Sequence, residues 1–359
     1  MDNQKIRIDF LDGIRGASAV FVVLFHSYLF TQNELIYSDD FILRGIQNFV
    51  SIGHISVSVF IVLSGFCLAI PVVKNDLNLK GGFKRYIKRR ANRIIFPYYA
   101  ALFLSVLLYF AFPVLQVINN TAWDGKIPIT LINFVAHILL VHNLNYEWIY
   151  KINGAHWSVA TEWHIYFLYP LMLYFWKKIN LVFSIIIFSI ITALLYLIIP
   201  FAEPQFILLF FLGVISAYFS FGDKRVIPSN FVYWVCVFLF FPISICVFYK
   251  FPAKIIYQIL FGVNFSLLLN ILVGFNSLKR KNKIIDFFET KPLLFLGKIS
   301  YSLYLIHGPF LALFNLIMLK NFDFKYETQL IFTWFIVVPF CVLLSWIFYY
   351  FVERRFQNK

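Results

Sequence analysis

Of 359 residues, 61% are hydrophobic and only 13% charged, and the mean hydropathy is +0.79. That balance excludes a water-soluble globular fold, in which charged residues make up about 25%. The net charge of +14 does not point to nucleic acid, because the lysines and arginines sit in short loops between apolar runs and not on one face of a soluble domain.

Taken in chain order, apolar runs predict spanning helices near 14–31, 52–73, 94–115, 159–176, 181–200, 204–221, 231–249, 255–275, 293–319 and 329–351. Each is about as long as the ~20 residues that a helix needs to cross ~30 Å of hydrocarbon. The expected fold class is therefore all-α, a polytopic membrane protein of about ten transmembrane helices in a single domain, 1–359. No small-residue cleavage site follows the first run, so it is expected to remain as a helix. A further apolar segment, 131–144, is short and interrupted by His137 and His142, which predicts a re-entrant or interfacial piece. With the N-terminus placed in the cytoplasm, only Arg44, Lys126, Lys151, Lys250, Lys254, Lys320 and Lys325 of the 31 basic residues fall outside. The positive-inside rule turns this bias into an orientation with both termini cytoplasmic.

Ionisable groups at membrane depth cost several kcal/mol on most scales and need a partner or a task. Arg15 and His26 are eleven residues apart on the first predicted helix, which puts them within about 20° of one face. Arg15 suits a phosphate and His26 suits general-base work; the structural alternative is a snorkelling arginine and a hydrogen-bonded core histidine. The loop GGFKRYIKRRANRIIFPYY brings Arg90 and Arg93 to neighbouring positions at a helix mouth, able to converge on one phosphate, although lipid anchoring alone also gathers such charges. In HWSVATEWHIYFLYP, Glu162 is the costly residue, expected near the depth of His26 and able to orient its imidazole, or else held in a structural ion pair. KISYSLYLIHGPF carries Ser300, Tyr301, Tyr304 and His307 on a helix expected to break at Gly308 and Pro309. VLSGF, with Ser64 and Gly65, reads as close helix packing without a catalytic role. Cys67, Cys236, Cys246 and Cys341 lie in apolar runs without paired or metal-ligand spacing and read as small core residues, so no metal is expected.

FLDGIRG with the later FH, VFIVLSGF, RRANRIIFPYY, WSVATEW, ISYSLYLIH and the terminal VERRF together resemble acyltransferase family 3, integral-membrane O-acyltransferases that modify surface glycans. The resemblance covers nearly the whole chain. It implies ten helices, an acyl-coenzyme A donor in the cytoplasm and an acceptor presented from outside. Arg15 and His26 match the family's pairing of a basic residue and a histidine, Arg90 and Arg93 its paired arginines, and Glu162 the first acidic residue of its Trp-Ser motif. Many relatives carry Glu-Glu-Gln where this chain has Glu162, Trp163 and His164, so any role of a second carboxylate is missing. The extracytoplasmic esterase-like domain of larger relatives is expected to be absent.

The expected activity is transfer of an acyl group, acetyl on family grounds, from acyl-CoA to a hydroxyl of a surface glycan or lipid-linked sugar, at the inner membrane. His26 and Glu162 are the expected catalytic residues, and Arg15, Arg90 and Arg93 the donor-binding ones. Ser158, Tyr301 and His307 are candidate acceptor or oxyanion contacts, and a covalent acyl relay through Ser158 or His26 is a second route. No permanently bound cofactor is expected; the partners are acyl-CoA, the acceptor and membrane lipids, with no nucleic acid. A transporter of a lipid-linked sugar or anion is the alternative, and it predicts inverted repeats and paired broken helices.

Overall fold

The computed structural model describes residues 8–31, 38–222, 234, 238, 254–278 and 282–357, and these form an all-α multi-pass bundle. Among the described residues, eight helical stretches are long and apolar enough to cross a membrane. They include α1 (Asp9–Thr31), α2 (Phe41–Ser51) running through a tight turn into α3 (Ile55–Val73), and α4 (Gly82–Ala111). A short α5 (Leu131–Ile138) and α6 (Trp157–Lys178) precede α7 (Leu181–Ile198), α8 (Phe206–Phe221) and α9 (Lys254–Ser277). The chain ends with α10 (Lys283–Phe288), α11 (Lys291–Asn321), α12 (Tyr326–Phe332), a π-helical turn over Thr333–Val337, and α13 (Val338–Phe351). The span expected at 231–249 lies outside the described residues, apart from 234 and 238.

α7 shows why these helices belong in lipid. Its buried residues include Ser184 and Thr192, while Val182, Phe183, Ile190, Leu194 and Leu197 are exposed. In water that arrangement would be inside out. In a bilayer the tails solvate the aliphatic face, and small or hydroxyl residues are free to pack against neighbouring helices.

Two close approaches set the bundle. Gly16 of α1 and Gly297 of α11 face each other so tightly that a Cβ at either would run into the other helix's backbone. Gly65 of α3 and Gly213 of α8 stand in the same relation, each against the opposite carbonyl, so VLSGF is the packing motif that its small residues predict. α11 stays helical through Pro309, contrary to the break expected there. Gly308 leaves the space that the Asn153 side chain occupies, and the lost backbone donor of one proline is tolerated within a packed bundle.

α4 begins twelve residues earlier than its apolar run. Gly81 and Gly82 take φ values of 82° and 73°, which suit glycine, and the helix-favouring Lys and Arg side chains then extend the helix beyond the hydrocarbon. Arg90 and Arg93 thus stand on the third and fourth turns of α4, not in a loop. α5, at eight residues, is about 12 Å long and too short to cross, in keeping with an interfacial piece.

Candidate active site

The stripe on α1 faces two cavities. Arg15 lines one of about 250 Å³, together with Arg90, Arg93, Glu162, Ser64 and Tyr301. His26, roughly 16 Å further along the axis, lines the other, of about 440 Å³, with His54, Lys126, Trp157, Tyr257 and Gln258. Val57 of α3 and Tyr304 of α11 line both, so the two cavities adjoin there. Tyr304 is fixed there: its hydroxyl donates to the Ala155 carbonyl at 3.0 Å and lies 2.6 Å from Ser158 Oγ.

His26 is held by another histidine. Its Nδ1 lies 2.6 Å from Nε2 of His307, and Nδ1 of His307 lies 2.9 Å from the carbonyl oxygen of Leu303. A carbonyl only accepts, so in neutral His307 the proton is on Nδ1 and the lone pair on Nε2. That lone pair in turn requires His26 to donate from Nδ1. The basic nitrogen of His26 is therefore Nε2, on a ring that lines the larger cavity. His307 is fully buried, and its own backbone bond within α11 fixes the ring.

Glu162 is not the partner of His26. Its Oε1 accepts from Ser64 Oγ at 2.6 Å and from the Tyr166 hydroxyl at 2.5 Å, inside the arginine cavity. Five residues into α6, Glu162 lines the arginine cavity and not the cavity that His26 lines. Ser158 and Tyr301, expected near the acceptor, also line the arginine cavity, and the Tyr301 hydroxyl donates to the Ile94 carbonyl at 3.0 Å. Of the candidate acceptor contacts, only His307 is brought to His26.

Arg15, Arg90 and Arg93 come from two helices to one cavity, as the three-residue spacing and the α1 stripe predict. Arg15 donates to Asp12 Oδ1 and to Cys67 Sγ, both at 3.0 Å, so Cys67 is a cavity residue and not the inert core residue expected. Nε of Arg90 is buried without a hydrogen bond among the described residues. Three guanidinium groups against Glu162 and the Asp12 partner of Arg15 still leave a net positive chamber that can take phosphate or another polyanion by charge-assisted bonds. The VERRF motif serves the frame at this end: buried Glu353 accepts from the Ser302 backbone N–H at 3.1 Å and from its hydroxyl at 2.5 Å.

Sequence reasoning missed Ser64 as a carboxylate donor and Lys126 as a cavity residue. A serine inside a small-residue packing motif carries no signal of what it faces, and Lys126 reads as one loop lysine among several.

The family described as "Acyltransferase domain", acyltransferase family 3, matches residues 8–350. Acyltransferase MdmB of Streptomyces mycarofaciens is 27% identical over 184 residues, half of this chain, and the match covers 42% of that protein. The chain thus matches less than half the length of this curated relative. No solved structure matches the chain. With the family match running from the start of α1 almost to the end of α13, this multi-pass membrane protein belongs to acyltransferase family 3.

Proposed function

We propose that the protein is an inner-membrane O-acyltransferase, acting as an O-acetyltransferase, that moves an acyl group from cytoplasmic acyl-CoA to a hydroxyl of an extracytoplasmic glycan or lipid-linked sugar. The observation that supports this reading is the chain from His26 Nδ1 through His307 to the Leu303 carbonyl, which leaves Nε2 as the basic ring nitrogen of His26 in a cavity that adjoins the arginine chamber.

In this reading the phosphates of the donor rest on Arg15, Arg90 and Arg93, and its pantetheine arm enters between Val57 and Tyr304 toward His26. His26 Nε2 takes the proton of the acceptor hydroxyl as the oxygen attacks the thioester carbonyl. The C–O bond forms, the C–S bond breaks, and the departing coenzyme A thiolate takes the proton back from the imidazolium. His307 keeps the ring in the required tautomer and shares the charge of the imidazolium, the part that a carboxylate plays in a triad. Glu162 works at the donor end, holding Ser64 and Tyr166 and balancing part of the arginine charge.

The test is deletion of the protein from its cell, followed by mass spectrometry of ester-linked acyl groups on every surface glycan. Loss of one such ester, restored by the wild-type chain and not by His26→Ala at equal abundance, is the expected result. An unchanged ester profile contradicts the proposal.

A further inference from the structure

The larger cavity has a charge imbalance that base catalysis does not use. Lys126 enters it from the turn between α4 and α5, its Nζ 5.2 Å from the centre of the Tyr150 ring, and among the described residues it makes no ion pair or side-chain hydrogen bond. Its position is built. The Lys126 carbonyl accepts from Ile152 N–H at 3.0 Å, and its stem crosses Gly154 so closely that a Cβ there would lie 2.6 Å from Cε.

The nearby carboxylates are committed elsewhere. Asp124, in the same turn, accepts from the backbone N–H groups of Asn119 and Thr121 at 3.1 and 3.2 Å. Glu203 pairs with Lys254, the other lysine of the cavity, and accepts from Gln205 Nε2 at 2.5 Å. Burial, with Lys151 nearby, pushes the Lys126 ammonium down to about 8, the direction of a cation that lacks a counter-charge. A half-buried cation of this kind is costly alone and is stabilised by an incoming anion.

The walls around Lys126 fit a sugar. Trp157 and Phe206 present aromatic surface with ring centres 5.6 Å apart, suited to the C–H face of a pyranose. Gln258, in the same lining, is fixed through its Oε1, which accepts from Gln205 Nε2 at 2.5 Å, leaving its amide N–H groups for a ligand hydroxyl. A volume of about 440 Å³ is within the range of small-molecule sites, roughly 300–1,000 Å³.

We propose that this cavity is the acceptor subsite for an acidic sugar, with Lys126 taking the anionic group of the sugar while His26 faces the hydroxyl to be acylated. The inference rests on the acyl-transfer reading of His26 and adds the chemical class of the acceptor. Carboxylate and phosphate share the required chemistry, so the test carries both.

Purified full-length protein in lipid nanodiscs is titrated with methyl β-glucuronide, glucose 6-phosphate and methyl β-glucoside, with binding read by saturation-transfer NMR and by Trp fluorescence. Wild type is expected to prefer at least one anionic sugar over the glucoside by about tenfold or more. The preference is lost in Lys126→Met and kept in Lys126→Arg, which also shows that the site still folds when the charge stays. Preference for the glucuronide alone assigns a uronic-type acceptor, and for the phosphate alone a sugar phosphate. Equal binding of all three sugars, no binding of any, or a preference that survives Lys126→Met overturns the inference. A fall in kcat in Lys126→Met with sugar preference untouched overturns it in favour of a role in stabilising the oxyanion. Acyl transfer that depends on His26, combined with equal sugar binding, sinks this inference and leaves the transferase reading standing. Selective binding of an anionic sugar in a protein that transfers no acyl group does the reverse.

Discussion

Nδ1 of His26 and Nε2 of His307 lie 2.6 Å apart, joining residues 281 positions apart in the chain and making an imidazole, not a carboxylate, the partner of the proposed base. A neutral partner of this kind fixes the tautomer without placing a full negative charge at membrane depth, where an ionised carboxylate is costly.

His26→Ala is expected to lower acyl transfer by about 10²–10⁴-fold, the usual worth of a positioned general base. His307→Ala is expected to cost at least roughly tenfold in kcat with the donor KM unchanged, because the ring of His26 loses its fixed tautomer. His307→Gln, whose side-chain oxygen can accept from Nδ1, should recover part of that loss. Single-turnover rates with labelled acetyl-CoA on purified protein at equal abundance check all three, and full activity in His307→Ala would remove the pairing from the mechanism.

The double change Arg90→Ala with Arg93→Ala is expected to weaken acetyl-CoA binding by at least tenfold, since charge-assisted phosphate contacts contribute roughly 1.5–3 kcal/mol each. Isothermal titration of the nanodisc protein reads this directly. Unaltered affinity would move the phosphate cradle elsewhere, with the basic run 279–283 the first place to look.

Glu162→Gln tests the separation of the two cavities. The carboxylate binds Ser64 and Tyr166 in the arginine cavity, so its loss should leave the acidic limb of the pH–rate profile, set by His26, where it is in wild type. Acetyl-CoA should bind no more weakly, because the chamber becomes more positive. Thermal stability should fall by an amount on the order of 1–3 kcal/mol as the hydroxyl donors lose a charged acceptor. A shift of the acidic limb in this variant would reconnect Glu162 to His26.

Acid should destabilise α5 and the turn that follows it through their paired histidines. His137 and His142 are fully buried with rings stacked 3.8 Å apart; burial pushes His137 down to about 4 and His142 well below the usual histidine range. Well above pH 6.5 neither imidazole is protonated in either state, and no stability is lost. Between 6.5 and about 4 the unfolded chain takes up protons that the folded protein refuses, so stability falls with pH, by up to roughly 1.4 kcal/mol per pH unit for each group. Thermal unfolding of the solubilised protein from pH 7.5 to 4.5 should show this slope, and His137→Gln should flatten it. A flat wild-type profile would count against the burial of this pair.

Hydrophobic run length and the absence of charge within it determined, from sequence alone, the membrane setting and most helix positions, because lipid imposes a length of about 20 residues on any spanning helix. Arg15 with His26 and Arg90 with Arg93 were also legible, since both pairs lie on single helices whose pitch sets which residues share a face. The start of α4 was not, because basic residues that leave the hydrocarbon can remain helical and hydropathy does not register them. Partner choice was decided only by tertiary structure. Glu162 was the partner expected for His26 and His307 a candidate acceptor contact, yet the contact between α1 and α11 across Gly16 and Gly297 brings His307 within hydrogen-bond distance while Glu162 of α6 bonds Ser64 and Tyr166 in the other cavity. Backbone approach of that kind depends on which helices pack together, and a single chain's periodicity specifies the face a helix offers but not the neighbour that meets it.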